Sequence, residues 1–139
     1  MTDPDFPVTI FHNPNCGTSR NVVEMVRAAG YEPRVVEYLQ AGWMKAQLKA
    51  LFARAGLTAR GALRENGTPA AELGLLEAGV AEAAILEAMV ADPILVNRPL
   101  VETPLGVVLA RPSERVFEVL ARRPETFTKA DGEVVRRPD

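Results

Sequence analysis

The sequence is poor in the groups that most often carry chemistry: its 139 residues include one cysteine and one histidine. A single cysteine cannot close an internal disulfide, so no disulfide framework holds the fold. One Cys and one His cannot make a four-ligand zinc site, so no metal is called for. Long hydrophobic runs are missing too, and none approaches the roughly 20 residues of a membrane helix. The acidic start Met1-Thr2-Asp3-Pro4-Asp5 has no apolar core of the signal-peptide kind, so a cytoplasmic location is the default expectation. Excess charge is absent as well. The formal net charge of −2 gives no support for a nucleic-acid partner or a polybasic membrane contact. An anionic ligand would have to be met by a local cluster, not by a field of the whole surface. Hydrophobic residues at 47% and charged residues at 24% are ordinary for a globular protein. The length suits one domain over 1–139 with a sizeable core.

Both scarce residues sit in one stretch, His12-Asn13-Pro14-Asn15-Cys16-Gly17-Thr18-Ser19-Arg20. It follows the apolar run Val8-Thr9-Ile10-Phe11 and opens an amphipathic segment, so it reads as the turn between a strand and a helix N-terminus. That end carries unpaired N–H groups and about half a positive charge, which favours anions. A free thiol with a pKa near ~8.5 is only about 3% thiolate at pH 7. Lowering the pKa by ~2 units takes about 2.7 kcal/mol. A helix N-terminus supplies ~0.3–2 kcal/mol of that, which leaves the rest to the Thr18 or Ser19 hydroxyl and to nearby arginines. The alternative is an inert buried thiol, but Asn15, Gly17, Thr18 and Ser19 are not core residues and favour the reactive reading.

The rest of the chain reads as α/β. Val22, Met25, Val26 and Ala29 share one face of a helix over 17–29, with Gly30 as its cap. Residues 34–39 read as a second strand, which gives a βαβ unit with parallel strands. After a break at 40–42, Met44, Leu48, Leu51, Phe52 and Ala55 mark a helix ended by Gly56. Thr58 is placed to cap a short helix to about residue 64, Thr68-Pro69 to start another, and residues 79–91 form a third that stops before Pro93. Residues 43–91 thus form a helical insertion with no fixed repeat period. Residues 99–102 and 107–110 read as a hairpin across Thr103-Pro104-Leu105-Gly106. A last helix starts at Arg111-Pro112-Ser113-Glu114, and a polar, basic tail covers about 121–139 as a solvated extension.

This order, a thioredoxin-like mixed sheet (βαβ, helical insertion, ββα) with flanking helices, carries recognisable motifs. They are the stretch 12–21, Arg60-Gly61-Ala62-Leu63-Arg64, Glu72-Leu73-Gly74-Leu75, Pro93-Ile94-Leu95-Val96-Asn97-Arg98-Pro99, Thr103-Pro104-Leu105-Gly106 and Arg111-Pro112-Ser113. Together they resemble the glutaredoxin-coupled arsenate reductases over roughly 8–120. The resemblance implies that Cys16 is the nucleophile toward arsenate and that Arg64, Arg98 and Arg111 bind the oxyanion. Planar guanidinium forks suit a tetrahedral oxyanion better than ammonium groups do. It implies a role in activity for His12, by steadying the thiolate or orienting the loop. It also implies a cis bond at Arg98-Pro99. Ser19 is expected to donate its hydroxyl to the thiolate. Reducing As(V) to As(III) takes two electrons, and one thiol cannot supply them as an internal disulfide. The resemblance therefore implies glutathione as co-substrate, glutaredoxin as partner and no bound cofactor.

Two thiol chemistries are excluded by spacing. A phosphatase-type loop needs Arg where Val22 stands, and a dithiol motif needs Cys where Ser19 stands. Two readings stay open beside the arsenate one. One is a non-enzymatic regulator of this fold that binds RNA polymerase; the other is a glutathione-dependent reductase of a different substrate. The start of the insertion, Ala41-Gly42-Trp43-Met44, departs from the family's usual polar, proline-bearing pattern.

Overall fold

A computed structural model describes residues 5–136; the acidic start at 1–4 and the end of the polar tail at 137–139 lie outside them. The chain forms two compact units. One holds the residues up to Glu37 and from Arg98 onward, the other Tyr38–Asn97. The second unit is wider at both ends than the insertion expected over 43–91.

In the first unit, β1 (Thr9–His12) and β2 (Arg34–Glu37) run parallel and are joined by α1 (Gly17–Ala28), as the βαβ pattern predicts. Strand β3 (Leu100–Thr103) pairs antiparallel with β1, and β4 (Gly106–Leu109) closes a hairpin with β3. The sheet order is β2-β1-β3-β4. Ile10, Val101 and Val108 lie side by side in that register and belong to one buried cluster. Val22, Met25 and Val26 of α1 and Val116 and Phe117 of the last helical segment belong to it too. Each such side chain, fully buried, contributes about 1.5–3 kcal/mol.

Apart from the turns of the second unit given below, three elements differ from the sequence reading. Strand β2 ends at Glu37, and Tyr38 begins α2 (Tyr38–Ala41). The Tyr38 ring stacks on Trp43 at 5.1 Å and its hydroxyl donates to the Val96 carbonyl at 3.3 Å, so burial of the ring draws residue 38 into the second unit. The last helix is a 3-10 segment, Ser113–Val119. Its apolar pairs, Val116 with Val119 and Phe117 with Leu120, are three apart, and three residues per turn stacks each pair on the core side. The tail read as a solvated extension forms a hairpin, β5 (Thr126–Thr128) with β6 (Val134–Arg136). Phe127 sits opposite Val135, and both pack on the core cluster.

In the second unit α3 (Lys45–Ala55) ends at Gly56, which takes the left-handed conformation (φ 69°) that glycine adopts without a Cβ clash. The helix expected over 58–64 is a turn. The Glu82 carboxylate accepts the Ala59 and Arg60 N–H groups, and Leu63 already pairs with Val96. Thr68 caps Ala70 as expected, but the coil closes after one turn, at Gly74 (φ 74°). Helix α4 (Glu82–Ala91) stops before Pro93, and a short 3-10 turn, Pro93–Leu95, follows. Among the described residues no helix is long and apolar enough to cross a membrane.

Met25 is fully buried at the centre of the first unit's core. Truncation in Met25→Ala is expected to lower the unfolding free energy by about 2–5 kcal/mol in urea titrations. A loss well under ~1 kcal/mol would mean that this core is not packed as described.

Candidate active site

The site is built by the turn between β1 and α1. The Asn13 Oδ1 accepts the Asn15 N–H at 2.9 Å, and the Asn13 carbonyl accepts the Cys16 N–H at 3.0 Å. This side-chain turn is what an Asn-Pro-Asn sequence favours. It leaves Cys16 in extended conformation (φ −104°, ψ 121°) as the N-cap of α1, with its carbonyl accepting the first helical N–H, from Arg20, at 3.0 Å. An N-cap is normally a Ser, Thr, Asp or Asn whose oxygen accepts a helix-start N–H. Here sulfur stands in that position. No capping hydrogen bond is closed by the sulfur as it stands, but the Ser19 N–H, the one an N-cap acceptor would take, favours its anion.

Cys16 is only 8% exposed. Burial on its own would push the thiol up. The Ser19 backbone N–H, the Arg98 and Arg111 guanidinium groups and the Arg98 charge together outweigh it and hold the thiol below its ordinary value. Arg111 Nη1 lies 3.7 Å from Cys16 Sγ, and the same nitrogen donates to the Arg98 carbonyl at 3.1 Å. Arg98 and Arg111 each precede a proline in a cis bond, Arg98-Pro99 as expected and Arg111-Pro112 in addition. The Ala110 N–H also bonds to the Pro99 carbonyl at 3.0 Å, so the two proline-bearing segments brace each other. Two guanidinium groups beside one thiol favour its charged form, the form in which sulfur is nucleophilic.

His12 ends β1 and is 9% exposed. Its Nδ1 lies 2.6 Å from Ser19 Oγ, which also accepts the Asn13 N–H at 3.1 Å. The hydroxyl proton is then free to be donated to a neutral ring. Burial lowers the His12 pKa, the Glu37 charge opposes this, and Arg20 adds to the lowering. The expectation that the Ser19 hydroxyl donates to the thiolate is therefore corrected. The hydroxyl oxygen lies against His12 Nδ1 and the Asn13 N–H, and it is the Ser19 backbone N–H that serves the sulfur.

Of the three arginines, Arg98 and Arg111 stand with Cys16 in the first unit. Arg64 belongs to the second, where its Nε donates to the Asn66 carbonyl at 3.1 Å and its N–H to the Leu95 carbonyl at 2.7 Å. Asn13 is 3% exposed and holds the turn from three of its atoms. Arg20 is exposed, and its Nη1 donates to the Pro14 carbonyl at 2.8 Å. Among the described residues no group of three or more His, Cys, Asp or Glu side chains could hold a metal ion.

A mixed sheet with the chain's single thiol at the first β–α turn, met by two arginines that each precede a cis-proline, defines a thioredoxin-like, single-cysteine protein. The comparisons with known proteins place it more closely. The ArsC family model matches residues 11–131. An arsenate reductase of Synechocystis is 57% identical over 129 residues, 92% of each chain, and one of Rhizobium meliloti is 54% identical over 132 residues, again 92% of each. The solved arsenate reductase of Vibrio cholerae superposes with a TM-score of 0.79 at 32% identity, over 83% of this chain and 98% of that one. The chain belongs to the ArsC family.

Loss of one guanidinium should raise the thiol. Arg111→Ala is expected to slow Cys16 alkylation by iodoacetamide about 3–10-fold below the thiol's pKa and leave the rate at high pH unchanged. An unchanged rate at low pH would remove Arg111 from the anion site. Because the folded thiol lies below the free one, the thiolate's contribution to stability is full above the free value near ~8.5 and is lost as pH falls through the folded value. The stability of the wild-type chain relative to Cys16→Ser should therefore rise with pH across that window.

Proposed function

We propose that this chain reduces arsenate to arsenite, with Cys16 as nucleophile, glutathione as co-substrate and glutaredoxin as the partner that completes reduction. One observation carries the reading: a buried sulfur at a helix N-cap, 3.7 Å from a guanidinium nitrogen, with a second arginine favouring its anion. Arsenate is favoured as the oxyanion by the names of relatives that share 54–57% of aligned residues over 92% of the chain.

The thiolate attacks arsenic, a sulfur–arsenic bond forms, and one arsenate oxygen leaves as water after protonation. Once sulfur is bonded it has lost its negative charge, and the guanidinium groups of Arg98 and Arg111 hold the oxygens on arsenic in its place. No second cysteine exists in the chain, so both electrons must come from outside thiols. Glutathione displaces a second oxygen as water and bonds to arsenic through its own sulfur. A thiol of glutaredoxin then attacks that glutathione sulfur. The glutathione–arsenic bond breaks with its electron pair left on arsenic, which becomes As(III), and the two outside sulfurs leave as a mixed disulfide. Hydrolysis of the remaining Cys16–arsenic bond frees arsenite and restores the thiol. Overall, two thiols become one disulfide and one arsenate becomes one arsenite.

His12 and Ser19 act on the loop and not on the oxyanion in this reading. Their hydrogen bond fixes the end of β1 against the first turn of α1, where the Ser19 N–H serves the sulfur. Arg64 is assigned to substrate by its motif, and its role is read from kinetics.

Arsenite release from arsenate with glutathione and glutaredoxin tests the proposal. Wild type should turn over and Cys16→Ser should fall to background. Arg98→Ala and Arg64→Ala should each lose about 10–100-fold in kcat/KM for arsenate, the range for a charged hydrogen bond. Turnover that survives Cys16→Ser would remove the nucleophile. No arsenate turnover, with reduction of another glutathione-dependent substrate or capture of RNA polymerase subunits in its place, would remove the substrate.

A further inference from the structure

Lys129 opens the turn of the C-terminal hairpin, yet its side chain is only 8% exposed. Its ammonium holds Glu133 Oε1 at 3.3 Å across the hairpin and Glu114 Oε1 at 2.9 Å outside it. Glu114 lies in the first turn of the 3-10 segment Ser113–Val119, just beyond the cis bond Arg111-Pro112. The next hairpin residue, Ala130, donates its N–H to Asn21 Oδ1 at 3.2 Å. Asn21 stands on α1, one turn past Cys16. A single hairpin turn therefore grips both segments of the anion site, the one that carries the sulfur and the one that carries the guanidinium facing it.

Core packing does not require these polar contacts. Phe127 and Val135 cover the core from the same hairpin, and a buried ammonium is costly unless its partners are held in good geometry. The contact they would control is a sensitive one. At 3.7 Å the Arg111 Nη1 to Cys16 Sγ approach is near the long end for sulfur, and hydrogen bonds weaken steeply as geometry worsens.

We propose that the C-terminal hairpin is a strap that holds Arg111 in register with Cys16, which makes Glu114, Lys129 and Asn21 positioning residues for the reactive thiolate. Burial pushes the Glu114 carboxyl up, but its own backbone N–H and the Lys129 ammonium outweigh this. Burial pushes Lys129 down, but Glu114 and Glu133 outweigh that in turn. Both groups of the strap are thus charged across the neutral range. The inference concerns ionisation of the sulfur, so it stands or falls independently of whether arsenate is the substrate.

The test is the pH profile of Cys16 alkylation in the full chain, with folding checked by circular dichroism. Glu114→Ala decides the matter because two effects on it have opposite sign. Through space alone, loss of a carboxylate would favour the thiolate and speed alkylation below the thiol's pKa. Loss of positioning would slow it, by about 3–10-fold, with the high-pH rate unchanged. Asn21→Ala changes no charge and should slow alkylation in the same way, and it supplies the answer if Glu114→Ala does not fold. Lys129→Met should follow them. Slower alkylation confined to low pH in a folded variant supports the strap. An unchanged or faster rate in folded Glu114→Ala or Asn21→Ala would overturn it, and would leave the hairpin as a cover for the core.

Discussion

A negative charge on sulfur, inside a protein, is the constraint to which the rest of this structure answers. Removing a thiolate from water disfavours it, and at 8% exposure Cys16 bears most of that cost. Three donors reverse the balance: the Ser19 N–H at the start of α1, and the guanidinium groups of Arg98 and Arg111. The helix start itself contributes at most about 2 kcal/mol. The donors come from three separate stretches of chain, so the sulfur's reactivity is a property of the fold and not of the loop. The arginines favour the charged form of the sulfur, as the Ser19 N–H does.

The architecture serves that convergence. Parallel pairing of β1 and β2 puts the start of α1 at one end of the sheet, and antiparallel pairing of β3 with β1 brings Arg98 to the same end, across the cis bond to Pro99. The β3–β4 hairpin returns the chain to Arg111, whose Nη1 spans from the Arg98 carbonyl to the sulfur. His12 and Ser19 tie the last residue of β1 to the first turn of α1, so the turn between them has little freedom. The core of Ile10, Val22, Met25, Val26, Val101 and Val116 packs strand, helix and 3-10 segment against one another.

Much of this was legible in the sequence, for reasons that differ from residue to residue. Strand β1, helix α1 and the exposed-type residues around Cys16 declared a thiol at a helix start through periodicity and composition alone. Arg98 and Arg111 had no local signal beyond a following proline, and only the ordered motifs of a family linked them to Cys16. The Ser19 hydroxyl was misread because its direction depends on the His12 ring, seven residues away in the chain, and a spacing pattern cannot reveal that choice. Asn13 was passed over although Asn-Pro-Asn carries its own turn chemistry. The last helix tightened to a 3-10 segment because its apolar pairs are three apart, a spacing that an α-helix also tolerates. The tail's hairpin rests on three-residue strands, too short for alternation to stand out. Its anchor, Lys129, looks like any solvated lysine until its two carboxylate partners are seen.

The central claim is that folding stabilises the thiolate, and the chain's single cysteine allows it to be observed without interference. The S–H stretching band in the Raman spectrum reports the protonated form directly. Followed against pH in the native chain and in the chain unfolded by urea, the band is predicted to vanish at distinctly lower pH in the native protein. Loss of the band at the same pH in both states, or at higher pH in the native one, would show that burial prevails over the surrounding donors and would contradict the account.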